Sequence, residues 1–547
     1  MAIETDSRSD SFAGTALSSE RLSALAARVG ADGTDIDTDT DADTDADTIA
    51  VRAPATDTVI GSIPACTVAD VDGAVDRARD AQSSWADRSV EERGEILERF
   101  GDLVLEHRAE LLDLLQLETG KSRRHALEEV LDVPLTCSYY ADSGPAALAD
   151  RKRRGAFPPA TTARVTAEPV GVVGVISPWN YPLTLSVTDV IPALIAGNAV
   201  VLKPDEKTPF TALALAELLE RAGLPDDVFG IVTGDGPTVG PALIDRVDYL
   251  SFTGSTETGR VVAERAGRNL IDCSLELGGK NPLVVLEDAD IDEAARGAVQ
   301  ACFTNAGQLC LSAERLFVHE SVFDEFLDAF VGETRRLALG TDFDFAADVG
   351  SLIDGDQLER VERHVEEALE TGASVLTGGR HRPDVGPFCY EPTILTDVDP
   401  DATVAREETF GPVVSVRPVS STEAAIRAAN DTEYGLNASV WAGDRDRGVA
   451  VAREIDCGTV CVNDAYVSGW AAVDAPMGGF GDSGLGRRHG REGIERYLES
   501  RTIATSRIGP LDAPPGIPTS WYARGMMGLT RLQRRLPTVS SVRRWFR

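Results

Sequence analysis

The spacing of apolar positions first predicts helices. Across Val68–Ser84 and Ser89–Thr119 they recur every three or four residues, and Leu97, Phe100, Leu103 and Val104 share one face. Ala53–Pro64 has an extended pattern ended by proline. Further on the character changes. Gly171–Ile176, Ala199–Leu202, Phe229–Val232 and Tyr249–Phe252 are near-continuous apolar runs, as strands buried on both faces require. Phe210–Ala222 is helical in spacing and follows Pro209, a good first-turn residue. Strands and helices alternating in this way predict an α/β fold with a largely parallel sheet under helical cover. After Glu276 the mixture repeats, with a strand at Pro282–Val285, helices at Ile291–Phe303 and Val322–Leu337, and an extended stretch at Phe388–Asp397. That length accommodates a second α/β domain.

The two ends depart from this pattern. Residues 1–50 read as an acidic, largely disordered extension, with a short helix at Ser18–Val29 that puts Leu22, Leu25 and Val29 on one face. Asp32–Asp47 holds eight Asp in sixteen positions, which reads as a solvated spacer. It lacks the glycine turn and terminal Glu of a calcium loop. At the other end, residues 508–547 form a tail that is basic from 521. Trp521–Arg547 carries seven Arg and no acid, with Trp521, Met526, Met527, Leu529, Leu532 and Phe546 interspersed. Such a segment suits the acidic body of its own oligomer or, in weak contact, an anionic membrane surface. Gly525, Gly528 and Pro537 work against one continuous helix.

Composition narrows the field. A chain of 547 residues exceeds what one core usually serves. There are 53 Lys plus Arg against 89 Asp plus Glu, a net charge of -36, which argues against nucleic-acid binding. Lysine occurs only at positions 121, 152, 203, 207 and 280. So large an acid excess is best tolerated where salt screens it, and predicts a protein from a very salty cytoplasm. Eight scattered Cys form no disulfide framework, and six His form no ligand pattern. Cys457 and Cys461 lack companion ligands, so no metal is expected. Without a long apolar run or a signal-like start, the expected location is cytoplasmic.

Several segments carry chemistry. Phe252-Thr-Gly-Ser-Thr-Glu-Thr-Gly259 leads from a strand into a helix. There Gly254 allows a tight turn, Ser255 can cap the helix beside an anion, and Gly259 allows close approach. Lys203-Pro-Asp-Glu206 ends a strand, where a carboxylate can accept from the ribose hydroxyls of NAD and repel the extra phosphate of NADP. Gly307-Gln-Leu-Cys310 offers a thiol nucleophile, and Glu276-Leu-Gly-Gly-Lys280 a carboxylate able to activate water. Asn180, in Pro178-Trp-Asn-Tyr-Pro182, can donate to an oxyanion.

Together with Glu407-Glu-Thr-Phe-Gly-Pro412 and the segment from Pro476 through Gly490, these motifs resemble the aldehyde dehydrogenases, in order and separation, over nearly all of Val51 to Arg507. The resemblance implies Cys310 as nucleophile, Glu276 as general base, and Asn180 with the Cys310 N–H as oxyanion donors. It implies that Lys203 and Glu206 hold the adenosine ribose, that Ser255 lies by the pyrophosphate, and that Gly254 and Gly259 form the cofactor turn. Glu408 would hold the nicotinamide ribose, with Phe410 beside the ring and Trp179 in the cofactor-side wall. The implied cofactor is NAD, with NADP less favoured. The implied anatomy is an NAD-binding domain at 51–145 and 168–274 and a catalytic domain at 275–475. Oligomerisation elements at 146–167 and 491–507 would form a small sheet and give a homodimer or homotetramer.

Within that family, Gly171–Pro182, Leu436–Ala442, Arg487–Gly490 and Glu499–Ala504 are most similar to bacterial-type succinate-semialdehyde dehydrogenases. The two arginines that clamp the distal carboxylate in the best-known of them are replaced here by Thr188 and Thr304. Asn305, Tyr466, Ser468 and Trp470 are the remaining candidates for the pocket. Tyr466 and Trp470 equally suit an apolar or aromatic aldehyde, which leaves broad-specificity oxidation open. Other readings are acyl-phosphate reduction and a catalytically inactive structural or binding protein. Retention of Glu276 stands against the former, and retention of Cys310, Glu276 and Asn180 against the latter.

Overall fold

The computed structural model describes residues 12–29, 48–155, 160–507, 509 and 512–535. Two compact units result, Met1–Leu148 with Glu168–Glu499, and Ala149–Ala167 with Ser500–Arg547.

In the larger unit, the helices Val68–Ala86 and Val90–Glu106 each begin with a reciprocal cap, Thr67 with Asp70 and Ser89 with Glu92. The helical pattern over Ser89–Thr119 is two helices, because the chain breaks at His107 before Arg108–Thr119. Arg123–Leu148 follows, with Pro134 and Pro145 inside it.

The first sheet has six strands in the order Gly484–Leu485, Asp272–Glu276, Tyr249–Thr253, Val172–Ile176, Ala199–Lys203 and Phe229–Ile231. All its neighbours are parallel except Gly484–Leu485. The apolar runs fall where the pattern places them, and Ala199–Lys203 and Tyr249–Thr253 are buried throughout. The second sheet has seven strands, ordered Ser374–Thr377, Thr393–Thr396, Val413–Val419, Ala313–His319, Asn281–Val285, Asn437–Trp441 and Thr459–Val462. Of the extended stretch Phe388–Asp397, only Thr393–Thr396 is a strand.

Two boundaries differ from expectation. Residues 12–29 are built into the large unit, because Leu17, Leu22, Leu25 and Val29 are all buried in its main core. Full burial of such side chains contributes about 1.5–3 kcal/mol each, enough to order a short helix. The helix itself is Ser19–Ala26, capped by Ser18. The Asp-rich run lies outside the described residues. Residues 491–499 also belong to the large unit, with Ile494 and Tyr497 in the same core.

The smaller unit carries most of a three-stranded sheet, Leu498–Ser506, Thr161–Pro169 and Arg151–Arg154, the last two antiparallel. It also holds the helix Thr519–Arg535, which continues through Gly525 and Gly528. No helix among the described residues is long and apolar enough to cross a membrane.

Candidate active site

Helix Ile291–Phe303 ends at Thr304, and the next three residues, Asn305, Ala306 and Gly307, take φ of 53°, 54° and 71°. Left-handed backbone at two non-glycine residues costs on the order of 1–3 kcal/mol each. Position 307 admits only glycine, since a Cβ would lie 2.1 Å from the Gly411 carbonyl oxygen. The turn is held by side chains. Asn305 Nδ2 donates to the carbonyls of Asn180 at 3.1 Å and Gln308 at 3.0 Å. Gln308 Nε2 donates to Asn305 and Ser351 carbonyls, while its Oε1 accepts from Ile353 N–H. Asn281 Nδ2 donates to the Cys310 carbonyl at 2.7 Å. Cys310 is thereby fixed just past a strained turn.

Asn180 follows strand Val172–Ile176, and Pro182 at once starts the short helix Pro182–Val187. Its Nδ2 donates to the Gln308 carbonyl at 3.0 Å, and its own carbonyl accepts from Lys121 Nζ at 2.7 Å. Lys121 is fully buried and also pairs with Glu129, whose other oxygen accepts from Leu183 and Thr184 N–H. No motif in the sequence marks this support, which joins Lys121 to Glu129 of helix Arg123–Leu148.

Glu276 ends the strand Asp272–Glu276. It lines the same 190 Å³ cavity as Cys310 and Asn180. Its Oε1 has no partner among the described residues. A Cβ at Gly478 would lie 3.1 Å from that oxygen, so glycine there keeps the space open. Burial pushes Glu276 up to about 7, against the pull of buried Arg488. Arg488 and Arg496 both bind Asp189, at 2.7 and 2.6 Å. Burial, then Glu408 and Glu276, push the Cys310 thiol up to about 12. At neutral pH Cys310 therefore rests as a thiol, and Glu276 stands in the range where a carboxyl can exchange a proton.

The residues expected at a cofactor divide between two cavities. Trp179, Gly254, Ser255, Glu408 and Phe410 line the cavity with Cys310. Trp179 meets Phe410 edge-on at 5.5 Å. Glu408 accepts from Gly279 N–H at 2.9 Å, and burial pushes it up to about 7. Beneath it, the buried Lys280–Glu314 pair accepts Thr409 and Phe410 N–H through Glu314, each at 2.9 Å. Ser255 caps helix Thr256–Asn269, accepting from Thr258 N–H. A second cavity of about 530 Å³ is lined by Lys203, Ile176, Phe252 and helix residues Gly236–Ile244 and Glu257–Arg268. Gly259 lies against Leu277, 2.4 Å from where its Cβ would be, and forms part of neither wall. Glu206 is also outside both walls and pairs with Lys203 at 3.0 Å. Lys207 pairs with Asp354 at 2.7 Å and stands over Trp179. A dinucleotide fits this donor set: a capped helix start, a strand-end carboxylate and a glycine turn.

On the substrate side the expected residues divide. Cys310 and Asn180 also line a recess of about 40 Å³. Tyr466 and Trp470 line it, whereas Thr188, Thr304, Asn305 and Ser468 do not. Thr188 is buried at a helix end, and the Thr304 hydroxyl, which donates to the Gln300 carbonyl, also meets the Tyr466 hydroxyl behind the recess wall. Asn305 braces the nucleophile turn, and Ser468 is exposed and bound to Asp464. Their places are taken by Glu128, Tyr181, Thr184, Leu185, Leu309 and Leu311, with Glu129 behind. Among the described residues, no group of three or more His, Cys, Asp or Glu is arranged to hold a metal.

Comparison with known proteins agrees with this geometry. The sequence profile described as Aldehyde dehydrogenase family matches residues 41–503. The chain belongs to the aldehyde dehydrogenase family. A relative called putative succinate-semialdehyde dehydrogenase [NADP(+)] 2, from Mycobacterium ulcerans, is 51% identical over 88% of this chain and 93% of its own. The succinate-semialdehyde dehydrogenase [NADP(+)] of Escherichia coli is 39% identical over 82% and 93%. A crystal structure of succinate-semialdehyde dehydrogenase from Burkholderia pseudomallei superposes with TM-score 0.81 at 37% identity, over 84% of this chain and 95% of that one. This chain therefore has the aldehyde dehydrogenase fold and is an aldehyde dehydrogenase that uses a nicotinamide cofactor.

Proposed function

We propose that this aldehyde dehydrogenase oxidises succinate semialdehyde to succinate through Cys310. The observation that carries the chemistry is the meeting of Cys310, Glu276 and Asn180 at one cavity wall. The Cys310 thiol gives its proton to solvent as the sulfur attacks the aldehyde carbon, the C=O π electrons move onto oxygen, and Asn180 Nδ2 donates to the oxyanion so formed. When bound, the nicotinamide cofactor supplies the hydride acceptor that leaves Cys310 carrying an acyl group. Glu276 then takes a proton from water, which attacks the thioester and releases the acid. Trp179, Ser255, Glu408 and Phe410 would hold the nicotinamide end, and Lys203 with Glu206 the adenosine ribose.

The names and the extent of the similar relatives support succinate semialdehyde. The aromatic wall of Tyr181, Tyr466 and Trp470 favours a second reading, broad oxidation of aliphatic or aromatic aldehydes. NAD preference rests on Glu206; the NADP(+) in the relatives' names is the opposing indication. A cytoplasmic home of high salt, and assembly as a homodimer or homotetramer, complete the reading. The acid excess supports the first. In the tail, helix Thr519–Arg535 has no acid and exposes Trp521, Met527, Leu529 and Leu532. Its charge complements the acidic body of a second copy.

The deciding experiment measures reduced-cofactor formation in molar KCl, comparing succinate semialdehyde with butanal and an aromatic aldehyde, for wild type and C310A. Cys310-dependent preference for succinate semialdehyde supports the proposal. Preference for the uncharged aldehydes replaces it with the second reading.

A further inference from the structure

The recess beside Cys310 is lined by carboxylates and, among the described residues, by no cation. Glu128 lines it, and its two oxygens lie 3.1 and 3.0 Å from the Tyr466 hydroxyl, which donates to it. The nearest cation, Lys121, is committed to Glu129, to the Asn180 carbonyl and to the Tyr181 ring face at 4.0 Å. Glu129 is committed to Lys121 and two backbone N–H groups. Asp132, one turn along, accepts from Trp470 Nε1 at 3.1 Å. No arginine lines the recess among the described residues. A carboxylate tail entering here meets a carboxyl group where a clamp would stand.

We propose that Glu128, oriented by Tyr466, reads the distal end of the substrate by its charge. As the acid it donates a hydrogen bond to a carboxylate tail; as the carboxylate it repels that tail. This rests on succinate semialdehyde being a substrate. The groups facing Glu128 are Tyr466 and Tyr181 as hydroxyls, Lys121 as a cation, and Glu129 as a like charge. Burial is the largest influence and pushes Glu128 up to about 7, so both forms are populated near neutrality. A substrate carboxylate ionises near pH 4–5 and stays charged throughout.

The test is the pH dependence of a ratio, kcat/KM for succinate semialdehyde over kcat/KM for butanal, from about pH 6 to about pH 8.5. Titration of Glu276 and Cys310 affects both substrates and cancels. The expected ratio falls roughly tenfold or more as Glu128 ionises. In E128Q, whose amide still donates, the ratio stays flat. In Y466F, loss of the donor to the carboxylate moves the fall to higher pH, which a merely structural tyrosine would not do. A flat ratio in wild type, or E128Q following wild type, overturns the proposal. Cys310-dependent oxidation of butanal without measurable oxidation of succinate semialdehyde overturns the substrate reading beneath it.

Discussion

Asn180 Nδ2 donates to the Gln308 main-chain carbonyl at 3.0 Å. One amide proton therefore fixes the side chain against the turn that carries Cys310, and the proposed mechanism uses the second at the cavity that both residues line. N180A removes that donor and loosens the turn. The expected loss in kcat is about 10²–10³-fold, the usual cost of one oxyanion donor, with KM little changed. Steady-state rates check it; a loss confined to KM would contradict the assigned role.

Glu276 sets a pH dependence of definite sign. It works as the carboxylate, and burial holds it up to about 7. Thioester hydrolysis should therefore rise as pH climbs through about 7 and level off above it. E276Q should accumulate acyl-enzyme, visible as a burst of reduced cofactor about equal to the enzyme concentration. Rapid-mixing absorbance across pH checks both points.

Lys280 and Glu314 form a buried pair under the loop that carries Glu408 and Phe410. K280M leaves Glu314 without its cation. Breaking such a pair costs about 3–5 kcal/mol. Lower stability in denaturant titration, held at constant high KCl, is the expected outcome, together with weaker cofactor binding. K280M with wild-type stability would contradict a supporting role for the pair.

The parallel strands were legible because strands buried on both faces need unbroken apolar runs, as Val172–Ile176 and Ala199–Lys203 show. That Cys310, Glu276 and Asn180 meet at one cavity was legible because each sits in a short motif. What surrounds them was not. Glu128 and Lys121 lie more than 180 residues from Cys310 in sequence, and only the packing of helix Arg123–Leu148 brings them to it. Thr188 and Thr304 were placed in the pocket by sequence offset from Asn180 and Cys310. Both lie buried at helix ends, Thr304 against the Tyr466 hydroxyl, and neither lines the recess itself. Leu22 and Leu25 looked like part of an appendage because an acidic run follows them, yet their spacing already gave them one apolar face.

The tail gives a prediction about assembly. A chain ending at residue 518 lacks helix Thr519–Arg535 and its exposed apolar and arginine side chains. If that helix docks on a second copy, the truncated protein should form a smaller assembly, or dissociate at lower salt, by light scattering coupled to size exclusion. Unchanged assembly together with binding of the full chain to anionic vesicles would assign the helix to lipid instead.

The proposed NAD preference rests on Glu206, paired with Lys203 at 3.0 Å at the end of strand Ala199–Lys203. A carboxylate there accepts from ribose hydroxyls and repels a phosphate on the same ribose. Wild type should prefer NAD by about tenfold or more in kcat/KM, about 1.4 kcal/mol. E206A removes the repulsion and frees Lys203 to meet the phosphate, while Lys207 stays with Asp354. The NADP value should rise and the NAD value fall, both mainly through KM, because the change lies far from the reacting carbon. Equal use of the two cofactors by wild type would mean that Lys203 already attracts the phosphate as strongly as Glu206 repels it.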